Sequence, residues 1–345
     1  MKKILFGLLL FLVIAAAPAS SRSAGPMKPI ELKLATHMPS MHSHIKQILV
    51  PWAQEVEKRT NGKVKITLFT SSSLGRVNEM YDVVKEGTAD ISLVVPAQVR
   101  GRFPMQEIFF IPNLIPGGIA NPTGVKIRDM LFKKYLSPIE FKDVRVLWTA
   151  RFEPYALQMV KKPVRTITEV RGLSIGMVGG KIAAAMLKAI GASPEVVVMP
   201  EMYTALERGM VDGVIMAKQP LLAFKFMEVV KYVTDIDSLL GSSANFIAMN
   251  KKTWSKLPKD VQKVFNELVP WVINLQGEVY ARLDKKIMNV SKAKGVEFIE
   301  LSQADLKKIS KDIKFIENNW VADMKKKKLP GEEMLADVYK ILGNK

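Results

Sequence analysis

A tripeptide and its spacing occur twice in this chain. Glu79-Met80-Tyr81 is followed by Gly87 and Asp90, and 122 positions later Glu201-Met202-Tyr203 is followed by Gly209 and Asp212 with the same internal spacing. Each copy has the grammar of one supersecondary unit. An acidic residue suits the positive end of a helix, a glycine takes the left-handed conformation that closes it, and an aspartate leads into an apolar strand. The strands would be 91–95 and 214–216. One copy could occur in any α/β protein, but two that share a tripeptide and two spacings predict two lobes built alike. Two similar lobes imply a cleft between them, and clefts between domains are where small ligands bind.

The 345 residues, 48% of them hydrophobic, suffice for the cores of two domains. The first residues read as an address: Lys2 and Lys3 form a basic start, 4–15 is an apolar run, and small residues crowd 15–19. This is the pattern of a secretory leader, assigned to residues 1–24 with cleavage within 19–24. The apolar run falls short of the roughly 20 residues that span a bilayer. The chain has no cysteine, which excludes a disulfide framework and a cysteine-anchored lipoprotein. A soluble periplasmic protein fits best. The formal net charge is +18, with many lysines late in the chain, among them Lys307, Lys308, Lys311 and the run 325–328. They are interleaved with helix-spaced apolar residues and few aromatics, as on solvated helix faces, and no nucleic-acid-binding motif accompanies them.

Residues 31–36 predict a first strand, 44–59 a helix interrupted near Pro51, Asn61-Gly62 a turn and 63–70 a second strand. Residues 100–124, rich in proline and glycine, are too irregular for one element and are placed beside the cleft. Strands follow at 144–148 and 155–160, then a strand at 173–178, a helix at 181–190 and a strand at 195–199 before the second repeated unit. The fold class is α/β: two lobes of mixed, mostly parallel sheets flanked by helices. Pro258 opens a helical pattern of over thirty residues, through Val261, Phe265, Leu268, Val272, Val279, Leu283 and Ile287, bent at Pro270 and long enough to span both lobes. Ile309, Ile313, Ile316 and Trp320 mark amphipathic helices packed outside a lobe. The first lobe is assigned to 28–150 plus 238–285, the second to 151–237 plus 286–345.

One segment, Gly191-Ala192-Ser193-Pro194 through Glu201, Tyr203, Ala205-Leu206, Gly209 and Val211-Asp212-Gly213, resembles the hallmark of solute receptors of tripartite ATP-independent periplasmic (TRAP) transporters, the C4-dicarboxylate-binding family. Asn61-Gly62-Lys63-Val64, Leu74-Gly75 with Glu79, Gly101-Arg102-Phe103-Pro104, Lys162-Pro163-Val164, Val170-Arg171-Gly172-Leu173, and Trp254 with Leu257-Pro258 agree in order. The resemblance covers roughly residues 30–320 and is specific for the fold, while the ligand must be argued from the site. It implies a periplasmic binding protein-like receptor that closes two lobes around one small solute and delivers it to the membrane subunits of a TRAP transporter, with no cofactor and no catalysis.

The resemblance also implies an arginine that grips a carboxylate with two parallel donors, in the strand after the Gly-Leu pair. That position here is Gly176. A second family arginine falls at about Tyr155 or Ala156, an asparagine at Met216 and an aromatic lining position at Met199. These departures predict a roomier, more apolar pocket with adaptable methionine surfaces, and a solute larger or less polar than a C4-dicarboxylate. Met199 and Met216 filling core is the competing reading. His37, Gln98, Arg151, Lys218 and Asn245 fall at strand ends or cleft-side loops, where α/β folds present residues to the crevice. With Tyr155 they supply polar groups to orient a ligand, and Arg151 or Lys218 would replace the missing charge.

All three histidines, His37, His42 and His44, lie within eight residues. No cysteine or nearby carboxylate joins them, zinc wants four ligands or three and a water, and no metal site is expected. An exported hydrolase is disfavoured, because neither a G-x-S-x-G elbow nor an H-E-x-x-H helix is present. A receptor feeding a membrane sensor instead of a transporter is the other alternative. A monomer is expected, with a dimer as the alternative.

Overall fold

The computed structural model describes residues 28–99, 101–116, 121–151, 155–236 and 244–343; the leader assigned to 1–24 lies outside them. β1 (Ile30–Ala35) leads to a π-helical turn, Ile45–Leu49, that runs directly into α1 (Val50–Arg59). Pro51 has no N–H to donate, and the widened turn just before it absorbs the lost bond, so the expected interruption is a change of helix type. Asn61 and Gly62 then turn at φ 52° and 75° into β2 (Val64–Phe69), followed by α2 (Met80–Glu86) and β3 (Ile91–Val94). A 3-10 segment, Met105–Phe110, precedes α3 (Pro122–Leu131), α4 (Ser137–Ile139) and β4 (Val144–Arg151). The irregular stretch therefore ends at Asn121, whose side chain accepts the Gly124 N–H at 3.0 Å and starts α3.

The second half repeats this layout. β5 (Tyr155–Met159) is followed by β6 (Ser174–Met177), α5 (Lys181–Ala189), β7 (Ser193–Val196), α6 (Met202–Glu207), β8 (Gly213–Ala217), α7 (Pro220–Ala223) and β9 (Tyr232–Asp235). The strand expected at 195–199 lies at Ser193–Val196. It is an edge strand, where Pro194 costs no ladder bond, and Met199 begins a 3-10 turn with Pro200. β10 (Ala244–Asn250), α8 (Lys251–Lys256), α9 (Lys259–Ala293), β11 (Glu297–Glu300), α10 (Gln303–Asp312), α11 (Phe315–Lys326) and α12 (Gly331–Leu342) complete the chain.

The strands form two mixed sheets, ordered β2-β1-β3-β10-β4 and β11-β9-β5-β8-β6-β7. Read from the opposite edge, the second sheet begins β7-β6-β8-β5-β9, the same plan as the first with β11 added beyond β9, and β10 and β5 are the antiparallel members. The repeated tripeptide is thus the visible remnant of a repeated β-α-β-α-β unit. Both helices close on a left-handed glycine, Gly87 at φ 85° and Gly209 at 69°. Both aspartates bind the backbone of the neighbouring parallel strand. Asp90 accepts the Lys33 N–H at 2.9 Å and the Thr253 hydroxyl at 2.8 Å, and Asp212 accepts the Ser174 N–H at 2.8 Å. Asp212→Ala is expected to cost about 1–2 kcal/mol, and Asp90→Ala more because both its oxygens are engaged; urea unfolding checks the order.

The chain crosses between the sheets from β4 to β5, from β9 to β10, and along α9 from β10 to β11. At 35 residues α9 is about 50 Å long, and Pro270 sits on its exposed face, where water meets the carbonyl it leaves unpaired. It packs on α1 and β4 of the first half and on α7 and β11 of the second. Two apolar clusters result. One gathers Trp52, Trp148 and Phe265 with Met202, Val214 and Phe226; the other gathers Tyr81, Phe141 and Phe246 with Ile175, Met177 and Trp320. The terminal helices reach the first half, where the Trp320 indole donates to the Pro104 carbonyl at 3.0 Å and Asp337 accepts from Lys134 and Tyr135, each at 2.6 Å.

Candidate functional site

In each sheet every strand but one runs the same way, so the carboxyl ends gather on one edge. The β4–β5 and β9–β10 connections join these two edges to each other. Most of the residues expected to meet a ligand lie there. His37 is two residues past β1, Gln98 closes the 3-10 turn Pro96–Gln98 after β3, Arg151 ends β4, and Asn245 stands near the start of β10, 1% exposed. On the other sheet Tyr155 opens β5 opposite Ala217 and Lys218 follows β8, so these two and Met216 are neighbours through strand pairing.

Gly176, Met216 and Met199 do not open space. Gly176 is buried, and a Cβ built on it would meet Met202 Sδ and Val214 Cγ1 at 3.1 Å and Val211 Cγ2 at 3.5 Å. The volume an arginine would need is filled by α6 and β8. Met216 is 5% exposed within the core, and Met199 packs half-buried at its margin. Lys218 is also engaged, since its Nζ lies 2.8 Å from Asp284 Oδ1 of α9.

The histidines form one cluster at the junction of β1, α7 and α9. His44 is fully buried, with Nδ1 2.8 Å from the Tyr280 hydroxyl of α9. His42 Nδ1 accepts the His44 N–H at 3.2 Å, and its ring hydrogen-bonds the Gln219 side chain across to the second half. Burial, with His42 alongside, lowers His37 to about 4, and burial with His42 and His37 lowers His44 to about 3. All are neutral at pH 7. Among the described residues no group of three or more His, Asp or Glu side chains is placed to hold a metal ion. Burial pushes Tyr155 up to about 12, so its hydroxyl keeps its proton as a donor.

A cavity of about 380 Å³ opens between the two edges. Pro96, Ala97, Val99, Phe103 and Phe110 wall it from the first half, and Ile182, Ala183 and Val196 from the second. The cations on it are Lys181, the first residue of α5, and Lys327, which is bound to Asp323. The cavity sits within ligand-pocket dimensions and is mainly apolar. Phe110 carries it towards the strand-end residues, its ring centroid 6.1 Å from that of Tyr155. None of the nine expected residues lines this cavity. Phe110 was hidden in the irregular stretch, whereas Gly179-Gly180 ahead of a helix was a readable sign of close backbone approach.

Two half-repeated α/β sheets with an apolar cavity between their carboxyl edges make a binding cleft. A family model, bacterial extracellular solute-binding protein family 7, matches residues 34–323. The chain belongs to this family. A TRAP periplasmic solute-binding protein from Desulfovibrio salexigens is similar at 28% identity and a TM-score of 0.79, covering 91% of this chain and 96% of that one. One from Bordetella bronchiseptica, with bound (R)-mandelate and (S)-mandelate, is 26% identical with a TM-score of 0.79 and covers 91% and 99%. The 2,3-diketo-L-gulonate-binding periplasmic protein YiaO of Escherichia coli is 26% identical over 291 residues, 83% of this chain and 84% of that protein. This family 7 member is a solute receptor of the TRAP type and not an enzyme; its partners are a small solute and a membrane transporter.

Proposed function

We propose that this receptor binds an organic acid with one carboxylate and an apolar body of roughly aromatic size, and hands it to the membrane subunits of a TRAP transporter. The cavity carries the reading. Its walls are apolar, the space beside Gly176 is filled, and of the cations named at the crevice Lys218 is tied to Asp284 and Lys327 to Asp323. Lys181, which shares the cavity with Glu107 and Asp323, is the cation there to meet a carboxylate, with Tyr155, His37 and Gln98 as neutral hydrogen-bonding groups at the strand ends and Arg151 at the end of β4. With Glu107 and Asp323 already facing Lys181 on an otherwise apolar wall, the cavity suits a monocarboxylate better than a dicarboxylate, whose second charge would be left without a cation in low dielectric. The mandelate-bound relative, with an aromatic hydroxy acid in place, supports this class.

In this reading residues 1–24 are removed on export to the periplasm, and the receptor acts as a monomer. Residues 28–150 plus 238–285 and 151–237 plus 286–345 form its lobes, closing about the β4–β5 and β9–β10 connections with α9 as spine. After refolding to remove carried ligand, a thermal-shift screen of aromatic acids, branched aliphatic acids, C4-dicarboxylates and uncharged solutes tests the class. A ligand at a hundred times its Kd adds about 2.7 kcal/mol and moves the midpoint by several degrees. Shifts are expected with the aromatic and branched monocarboxylates. Shifts confined to C4-dicarboxylates would overturn the reading.

A further inference from the structure

We infer that Glu140 is a positioning residue for the ligand site: its carboxyl group holds the 3-10 segment Met105–Phe110, and with it one wall of the cavity, in the shape that receives the ligand. The inference rests on the cavity being the ligand site. The segment cannot cap itself, because Pro104 stands at its N-cap and supplies no side-chain acceptor. Met105 and Gln106 are 0% and 2% exposed, so their N–H groups cannot turn to water. Glu140, at the end of α4, meets both, Oε1 accepting the Met105 N–H at 2.5 Å and Oε2 the Gln106 N–H at 3.1 Å.

The residues it fixes include the cavity wall. Gln106, Glu107 and Phe110 line the cavity, and Phe110 also packs on Tyr155 at the strand-end crevice. The segment is held at two further points: the Pro104 carbonyl accepts from Trp320, and Arg102 lies over the Tyr81 ring and is bound to Asp82 at 2.7 Å. Only the Glu140 clamp is titratable in an accessible range. Burial pushes its carboxyl up to about 8 against the pull of the two N–H groups, with Glu107 adding to the rise. Arg102, paired with Asp82, and Asp143 act on Tyr81, whose hydroxyl donates to the Glu140 carbonyl at 3.3 Å, and Glu107 is in turn faced by Lys181, Asp323 and Lys327. The clamped carboxyl holds its proton more tightly than a hydrated one, so ionisation favours release of the segment and the wall loosens as pH rises through the Glu140 titration.

The test uses the leaderless full-length receptor, its Glu140→Gln variant and mandelate as probe. Hydrogen exchange over 105–110, corrected for intrinsic rate, is expected to quicken at least tenfold in the wild type from pH 7 to 9 and to stay flat with pH in E140Q. Mandelate affinity is expected to fall at least threefold over that range in the wild type and to stay flat with pH in E140Q. A merely structural role would not give a pH-dependent affinity that disappears with the carboxylate. Equal exchange in the two proteins at pH 9, or faster exchange with unchanged mandelate affinity, overturns the inference. Should E140Q not fold, the wild-type exchange profile decides, a pH-independent rate over 105–110 counting against the clamp. A wild type that binds no acid of any class would sink the cavity reading instead, and the exchange data would then decide the clamp alone.

Discussion

Gly176→Arg is expected to lower stability by about 3–5 kcal/mol and to bring no affinity for C4-dicarboxylates. Position 176 is where the family resemblance places a carboxylate-gripping arginine, and its absence first suggests an open pocket. The geometry gives a different cause. A Cβ there is already tight against Met202 and Val214, which are both 0% exposed, and Val211 stands just beyond. A guanidinium on that stem would press between α6 and β8, with no carboxylate among these neighbours to compensate it. Urea unfolding gives the loss, and calorimetry with succinate gives the affinity. A variant as stable as the wild type that binds succinate would show that this position opens to the cleft.

Acid is expected to destabilise the receptor through its histidines. His37 and His44 titrate near 4 and 3 in the folded chain against 6.5 for the free side chain, because burial disfavours the charged ring. Their unfolded forms bind protons first, so stability is complete above pH 6.5 and is lost as pH falls towards the folded values, at roughly 1.4 kcal/mol per unit for each histidine. Glu140 works in the opposite sense. Its raised value favours the folded state below the ordinary 4.5, and that contribution is lost as pH rises towards 8. Between 6.5 and 4.5 His37 and His44 outweigh Glu140 by roughly 1.4 kcal/mol per unit, with the lowered His42 adding to the loss and the raised Glu107 opposing it. Urea midpoints from pH 7 to 4.5 measure the slope, and His44→Gln should remove about half of the histidine part. A flat profile would mean that the histidines are hydrated in the folded protein.

The architecture was legible where local chemistry repeats. The glycine and aspartate of each unit do equivalent work in both halves, so a tripeptide and two spacings were enough to announce two similar sheets. α9 was legible from its spacing alone, although Tyr280, its bond to His44, was not. The misses have physical reasons. β10 is a short apolar run, paired on both sides, whose sequence shows neither alternation nor helical period. α3 hides behind Pro122 and Gly124, although a proline after an asparagine is itself a helix start. β7 ends early because it pairs on one side only and Pro200 draws Met199 into a turn.

The site divides the same way. Residues at strand ends, such as His37, Gln98, Tyr155 and Asn245, could be placed because an α/β sheet presents its carboxyl edge to the ligand whatever the sequence. What neighbours do to them could not. The ion pair that occupies Lys218, the side chains that close Gly176 and the clamp from Glu140 to Met105 all join segments far apart in the chain, where no periodicity or motif reports contact.

The central claim is that the cleft selects one carboxylate on an apolar body. Calorimetric titration of the refolded, ligand-free receptor with mandelate and with succinate, in one buffer at pH 7.5, tests it most directly. The account predicts saturable binding of mandelate at least tenfold tighter than that of succinate, with the negative heat-capacity change of apolar burial. Succinate binding tightly while mandelate gives no heat would contradict it.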